Sequence, residues 1–132
     1  MLKGIGHLGI VVKDMEKSLK ALSRIIEFER PAIKEFPDKK MRCAVVETKG
    51  VALEFLQDDS DSGFLGRFRR EKGDALHHFC LVSDNIEEDV EALKRRGVEM
   101  MDQKPRIGLR GKKVAMTMPA ALDGITIELS EP

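Results

Sequence analysis

Two histidines and two glutamates in this chain have the residue types of a metal site: His7, Glu54, His78 and Glu128. Imidazole nitrogens and carboxylate oxygens, without a thiolate, suit one divalent ion such as Co, Mn, Ni, Fe or Zn. If each carboxylate binds through one oxygen, an octahedral ion keeps two positions for water or substrate. A site with open positions is catalytic rather than structural.

Such an ion can act on a carbonyl compound. An ion that binds the carbonyl oxygen acidifies the neighbouring C–H bond and stabilises the enolate that forms. A nearby carboxylate can then move the proton, and Glu54 and Glu128 are the carboxylates of the set. The residues therefore predict proton abstraction next to a carbonyl group, with these two glutamates as catalytic residues.

An internal repeat relates the four residues in pairs. The segment "HLGIVVKDMEKSLKAL" from His7 aligns without a gap with "HFCLVSDNIEEDVEAL" from His78. In each copy an apolar strand is followed by an acid or amide that can cap a helix, and then by apolar residues at helical spacing. Further along, "VALEFLQ" aligns with "GITIELS" and pairs Glu54 with Glu128.

Strand-type segments complete each copy, "MRCAVVET" and "VALEFLQ" in the first and "KKVAMTM" and "GITIELSE" in the second. The sequence therefore predicts an α+β fold in which two βαβββ modules, about residues 4–57 and 74–131, form a mixed sheet. Residues 1–132 are then a single domain. Between the modules, "DDSDSGFLGRFRREKGD" predicts a short amphipathic helix.

Strand alternation distinguishes the adjacent histidines His77 and His78. Successive side chains of a strand point to opposite faces, so only one of the two can share the face of His7. The repeat assigns that face to His78, and the same alternation places Glu54 and Glu128 away from their own module's helix. The residues predicted to face the helices are Leu8, Ile10, Val12, Val51, Leu53, Phe55, Phe79, Leu81, Ile125, Ile127 and Leu129.

The composition argues against several other functions. Lys plus Arg equals Asp plus Glu at 23 each, so no global charge favours nucleic acid or an anionic membrane. No apolar run approaches membrane-spanning length. Cys43 and Cys80 lie far apart and lack a Cys-x-x-Cys spacing, which argues against a disulfide framework and a cysteine zinc site. We therefore expect a cytoplasmic protein without nucleic-acid or membrane partners.

At these residues the chain resembles the vicinal oxygen chelate superfamily, which includes glyoxalases, bleomycin-resistance proteins and dioxygenases. Within it, the chain is most similar to the methylmalonyl-CoA epimerases. "GHLGIVVKDMEKSL" is similar to the epimerases' opening strand and helix, and "DGITIELSEP" to their closing strand. The central block, from "LEFLQ" to "RGKKV", resembles theirs in the helical insert before the double histidine and in a Pro-Arg-x-Gly loop. The insert and the double histidine favour the epimerases over glyoxalase I, a lyase with the same His/Glu/His/Glu arrangement.

The resemblance implies a fold, a site and a substrate. The fold is a cup-shaped mixed sheet built from the two βαβββ modules, commonly in a homodimer. The site is one divalent metal ion on His7, Glu54, His78 and Glu128. The substrate is an acyl-CoA whose thioester and carboxylate oxygens chelate the metal. The implied activity is that of an isomerase, a methylmalonyl-CoA epimerase.

Two segments differ from the family pattern. In several family members a glutamate on the strand before Glu54 is one of two proton-transfer bases. Here Cys43 or its neighbours take that place, and no carboxylate follows until Glu47. A cysteine can act as a base if its pKa is lowered, although a buried strand cysteine is usually inert. The family's His-Pro-Lys-Asp before the last strand is replaced by "MPAALDG", so the acyl group accepted can differ.

A basic loop, "QKPRIGLRGKK", precedes a predicted strand. One interpretation is a hairpin whose charges are solvated. The other is a cradle for the phosphates of CoA, because Lys and Arg are the usual phosphate partners. In that interpretation Arg106, Arg110 and Lys112 bind the substrate, whereas a glutathione adduct would need fewer cations.

Three other functions fit part of the pattern. A glyoxalase I-type lactoylglutathione lyase acts on a thiol adduct of a 2-oxoaldehyde by the same enediolate chemistry. A non-catalytic small-molecule-binding protein of the same fold is expected to have an incomplete metal set. A ring-cleaving iron dioxygenase needs two His and one carboxylate with the fourth position open, and Glu54 fills that position. The resemblance and the basic loop favour a metal-dependent acyl-CoA epimerase, with the lyase as the main alternative.

Overall fold

A computed structural model describes residues 1–132. The elements follow the order strand, helix and three strands, twice over. The first copy contains β1 (Leu2–Val11), α1 (Met15–Leu22), β2 (Lys34–Phe36), β3 (Met41–Val46) and β4 (Ala52–Asp58). The helix α2 (Phe64–Lys72) follows, and the second copy contains β5 (Ala75–Ser83), α3 (Ile86–Arg95), β6 (Arg106–Ile107), β7 (Lys113–Met116) and β8 (Thr126–Ser130).

The strands are hydrogen-bonded in the order β2-β3-β4-β1-β5-β8-β7-β6. Strand β5 runs parallel to β8, whereas β2 with β3, β3 with β4, β6 with β7, and β7 with β8 are antiparallel pairs. The sheet is therefore mixed. The predicted α+β fold is confirmed.

The chain forms two compact units. The α1 unit comprises Leu8–His77, and the α3 unit comprises Met1–His7 together with His78–Pro132. Each unit contains the helix after which it is named. No helix of the protein combines the length and the apolar character that a membrane crossing requires.

In the α1 unit, helix α1 begins where the Asp14 carboxylate accepts a hydrogen bond of 3.1 Å from the Lys17 N–H. The first N–H groups of a helix have no acceptor within the helix, and this capping carboxylate supplies one. The buried face of α1 packs on the sheet in one apolar core of Val12, Met15, Leu19, Ala44, Val46 and Phe55, joined by Ile10 and Leu53. Alternation predicted Ile10, Val12, Leu53 and Phe55 on this side, and they lie there.

In the α3 unit, the Asn85 side chain accepts a hydrogen bond of 3.2 Å from the Glu88 N–H and begins α3. Gly97, with φ of 82°, follows the helix in the left-handed conformation that glycine favours. The core contains Ile86, Val90, Met100, Ala115 and Leu129, with Ile127 packed against it. The prediction for Ile125 is wrong: its side chain is 40% exposed, because β8 begins one residue later.

The predicted helix between the two copies is present as α2, in the α1 unit. The carboxylate of Asp58 accepts hydrogen bonds from the N–H groups of Ser60 and Gly66, at 2.9 and 3.1 Å. Leu65 is buried, whereas Phe64 is 44% exposed. The helix therefore begins on a buried carboxylate at the end of β4.

Candidate metal centre

Three of the four predicted ligands lie together in the α3 unit. The Nε2 atoms of His7 on β1 and His78 on β5 are 3.2 Å apart. Glu128 on β8 places Oε1 at 3.4 Å from Nε2 of His7 and Oε2 at 3.9 Å from Nε2 of His78. All three side chains are buried. Two ring nitrogens and a carboxylate therefore converge on one point.

Strand register explains this convergence. On the parallel pair β5 and β8, His78 lies opposite Thr126, and Cys80 lies opposite Glu128. Opposed residues share a face of the sheet, so His78 and Glu128 point to the same side. At Gly6, an added Cβ would lie 3.0 Å from Cγ2 of Val82. The absence of a side chain there lets β1 approach β5 closely, next to His7.

The electrostatics keep His7 neutral at pH 7. Burial, together with the smaller effects of the positive charges of Arg110 and Lys112, lowers the pKa of His7 to about 4. A neutral imidazole binds a metal ion without first losing a charge-carrying proton. The electrostatic environment therefore favours the neutral charge state of His7, which metal binding requires.

The donor atoms fit a divalent ion. Two nitrogens each bound at about 2.0–2.1 Å from one ion lie about 3 Å apart, and the 3.2 Å between the two histidine nitrogens matches that separation. The carboxylate beside them supplies negative charge. His7, His78 and Glu128 could therefore hold a metal ion without a large rearrangement of the strands.

Cys80 is a further donor beside the predicted ligands. One donor atom each from His7, Cys80 and Glu128 lie within 4.8 Å of one another, and the thiol is buried. Cysteine spacing along the chain predicted no thiolate at the site, but the pairing of β5 with β8 puts Cys80 beside Glu128. Alternation from His78 gives a signal for this placement, because residues two apart share a face.

Glu54, the fourth predicted ligand, lies on β4 in the α1 unit. Its side chain is 7% exposed. It lies opposite Val45 on β3, and Cys43 lies opposite Leu56 on the same pair of strands. Cys43 and Glu54 therefore share one face of this pair, and both are buried.

His77 contacts different groups from those of His78. Its ring packs against Phe68 of α2 at a centroid distance of 4.8 Å and against Phe64 at 5.9 Å, within the α1 unit. Burial lowers the pKa of His77 to about 4. The two adjacent histidines thus have separate surroundings, as expected for neighbours on a strand.

The three candidate substrate-binding residues of the basic loop have different positions. Arg110 places Nη2 at 3.2 Å from Nδ1 of His7. Arg106 instead pairs with Asp102, its Nε lying 3.0 Å from Oδ1. Lys112 is exposed and contributes to the positive potential at His7. Among these three, the structure brings Arg110 to the histidine cluster.

Comparison with known proteins identifies the family. The sequence model of the Glyoxalase/Bleomycin resistance protein/Dioxygenase superfamily matches residues 6–116. The chain belongs to this superfamily. The resemblance inferred from the sequence motifs is confirmed.

Relatives within the superfamily include methylmalonyl-CoA epimerases. The chain is 26% identical over 128 residues to the mitochondrial methylmalonyl-CoA epimerase of Bos taurus, covering 96% of this chain and 73% of the relative. It is also 26% identical over 128 residues to the uncharacterized protein YqjC of Bacillus subtilis (strain 168), covering 97% and 91%. A solved structure, a variant of the Streptomyces coelicolor methylmalonyl-CoA epimerase in complex with 2-nitronate-propionyl-CoA, matches with a TM-score of 0.87 at 20% identity, covering 99% and 95%. That structure shares the fold of this chain.

Proposed function

We propose that the protein is a metal-dependent epimerase of an acyl-CoA such as methylmalonyl-CoA. The observation that carries this proposal is the buried convergence of His7, His78 and Glu128 in a member of the glyoxalase superfamily. Relatives named methylmalonyl-CoA epimerases support the substrate class.

The proposed metal is one divalent ion, Co, Mn, Ni, Fe or Zn, held by His7, His78 and Glu128 with Glu54 as the fourth ligand. Glu54 is included because the repeat pairs it with Glu128 and because its side chain is buried on a strand. When bound, the ion polarises the thioester carbonyl and makes the adjacent C–H bond more acidic.

The glutamates supply the proton transfer in this proposal. Epimerisation removes a proton from one side of the α-carbon and returns one to the other side, so it uses two groups that exchange protons. Glu128 and Glu54 are the two carboxylates of the ligand set, and each is a general base at neutral pH. Burial of the site excludes water and strengthens the interactions made there.

The basic loop supplies contacts to the rest of the substrate. CoA carries several phosphates, and Arg and Lys are suited to bind them. We propose Arg106, Arg110 and Lys112 as substrate-binding residues. The exposed position of Lys112 suits a contact with a phosphate in solvent, whereas Arg110 lies beside His7.

The direct test is a metal-dependent epimerisation assay. Protein stripped by a chelator and reloaded with Co²⁺ or Mn²⁺ is incubated with one epimer of methylmalonyl-CoA, and the two epimers are then separated. We expect both epimers with the reloaded protein and one with the stripped protein. Rapid turnover of the hemithioacetal of methylglyoxal and glutathione, without epimerisation, would instead establish the lyase activity.

A further inference from the structure

Arg110 makes a contact that fixes the tautomer of His7. Its Nη2 lies 3.2 Å from Nδ1 of His7. A guanidinium has five N–H donors and no acceptor. Arg110 therefore donates this hydrogen bond, and Nδ1 of His7 accepts it.

This hydrogen bond decides where the His7 proton lies. A neutral imidazole has one protonated and one unprotonated nitrogen, so an accepting Nδ1 places the proton on Nε2. Nε2 is the atom that faces Nε2 of His78 and the Glu128 carboxylate. In the metal-free protein, Nε2 of His7 is thus a donor to these groups.

Metal binding through Nε2 of His7 requires the opposite tautomer. A lone pair on Nε2 puts the proton on Nδ1, which usually donates it to a carboxylate, a carbonyl or water. With Arg110 in its present position, two N–H groups would face each other across 3.2 Å. The contact with Arg110 and a metal ion on Nε2 therefore exclude each other.

We propose that Arg110 contacts His7 only in the metal-free protein, and that metal binding releases Arg110 to bind an anionic group at the acyl end of the substrate. This inference rests on the proposed function and adds a specificity-determining residue to it. It selects acyl thioesters that carry a second acid group.

The position of Arg110 favours the acyl end over the CoA phosphates. Arg110 lies beside a proposed metal ligand, where the thioester is expected, whereas the pantetheine arm separates the thioester from the phosphates by many bonds. A carboxylate on the acyl group is only a few bonds from the thioester. A guanidinium N–H can donate a charge-assisted hydrogen bond to a carboxylate oxygen.

A substitution at Lys112 provides a matched control for the claim that metal binding releases Arg110 from His7. Arg110→Gln and Lys112→Gln each remove one positive charge that acts on His7. Only Arg110→Gln replaces the donor with an amide whose oxygen can accept from Nδ1–H. Affinities for Co²⁺ are measured by competition with a chromophoric chelator, at low and high salt.

We expect Arg110→Gln to bind Co²⁺ roughly three- to tenfold more tightly than Lys112→Gln, which is the effect of about one hydrogen bond. The difference should persist at high salt, because salt screens the loss of charge that the two variants share. Equal Co²⁺ affinities in the two variants would overturn the proposal that metal binding releases Arg110 from His7.

Two acyl-CoA ligands test the substrate part in the metal-loaded protein. Methylmalonyl-CoA carries the acyl carboxylate, and propionyl-CoA lacks it. Arg110→Gln should weaken binding of methylmalonyl-CoA at least fivefold and leave propionyl-CoA unchanged, whereas Lys112→Gln should weaken both alike. An equal loss for both ligands in Arg110→Gln would mean that Arg110 contacts the CoA moiety, and it would overturn the proposed contact with the acyl carboxylate.

The two proposals fail in different ways. If the metal-loaded wild-type protein binds neither acyl-CoA, the proposed function is wrong, and the substrate part of this inference is wrong with it. The Co²⁺ affinities still test whether metal binding releases Arg110 from His7, because their measurement requires no substrate.

Discussion

The Nε2 atoms of His7 and His78 lie 3.2 Å apart, although 71 residues separate them along the chain. Each histidine lies on the first strand of its copy of the repeat, so the same position of the repeat occurs twice in one site. The carboxylate of Glu128 lies beside both rings. The repeat thus places equivalent residues face to face.

The first prediction separates the adjacent histidines. His78→Ala should abolish tight binding of a divalent ion, because it removes a nitrogen from the cluster, whereas His77→Ala should leave metal binding nearly unchanged, because His77 packs on α2. Metal content is measured after equal exposure of the purified variants to Mn, Co and Zn. Equal loss in both variants would mean that the assignment of the two faces is wrong.

The second prediction concerns the proton-transfer groups. Glu128→Gln and Glu54→Gln should each lower turnover by about 10²–10⁴, because an amide can still ligate a metal but cannot take a proton at neutral pH. Cys43→Ser should have a much smaller effect. Rates and bound metal are measured together for each variant. A larger fall for Cys43→Ser with metal retained would assign the second base to the thiol.

The third prediction is the pH dependence of stability in the metal-free protein. The lowered pKa of His77, about 4 in the folded protein against 6.5 unfolded, means that the unfolded chain binds the proton first as the pH falls. Stability from this group is therefore complete above pH 6.5 and declines by about 3 kcal/mol towards pH 4.

His77→Phe tests that dependence, because it keeps a ring beside Phe68 and removes the titrating group. His7 has a similarly lowered pKa, so this variant should retain about half of the wild-type loss of unfolding free energy between pH 6.5 and pH 4. Urea unfolding at several pH values measures it. An unchanged pH dependence in His77→Phe would contradict the assignment to His77.

The fourth prediction concerns the contact between Lys112 and the CoA part of the substrate. Lys112→Ala should raise KM roughly two- to fivefold with little change in kcat, since an exposed ion pair contributes about 0.2–1 kcal/mol and acts equally in ground and transition states. Added salt should have the same effect in the wild-type protein. Lys20→Ala, an exposed lysine on α1, is the control. A fall in kcat for Lys112→Ala at unchanged KM would contradict the proposed contact between Lys112 and CoA.

The sequence predicted the features that depend on periodicity. Alternation along the strands and the gapless repeat were sufficient to predict the α+β fold and the packing of Leu53, Phe55, Ile127 and Leu129 in or against the apolar cores, because one apolar face of each strand must pack under a helix. Ile125 was misplaced because the first residue of a strand is not fixed by alternation alone.

Alternation along the strands did not predict the side-chain contacts that depend on strand register or on the conformation of a loop. Cys80 lies beside Glu128 because β5 pairs with β8 in one particular register, and nothing in the cysteine spacing encodes that pairing. Arg106 and Arg110 are four residues apart in one basic loop, yet one pairs with Asp102 and the other contacts His7. Side-chain positions in a loop follow from the folded neighbours rather than from the local pattern.

Deuterium exchange at the α-carbon of methylmalonyl-CoA directly measures the proposed proton abstraction. The protein is loaded with Co²⁺ and incubated with this substrate in buffered D₂O, and the mass of the recovered substrate is determined. We expect incorporation of one deuterium, and we expect this exchange to be lost on removal of the metal and in His78→Ala. Absence of exchange in protein shown to contain the metal would contradict the proposed proton abstraction.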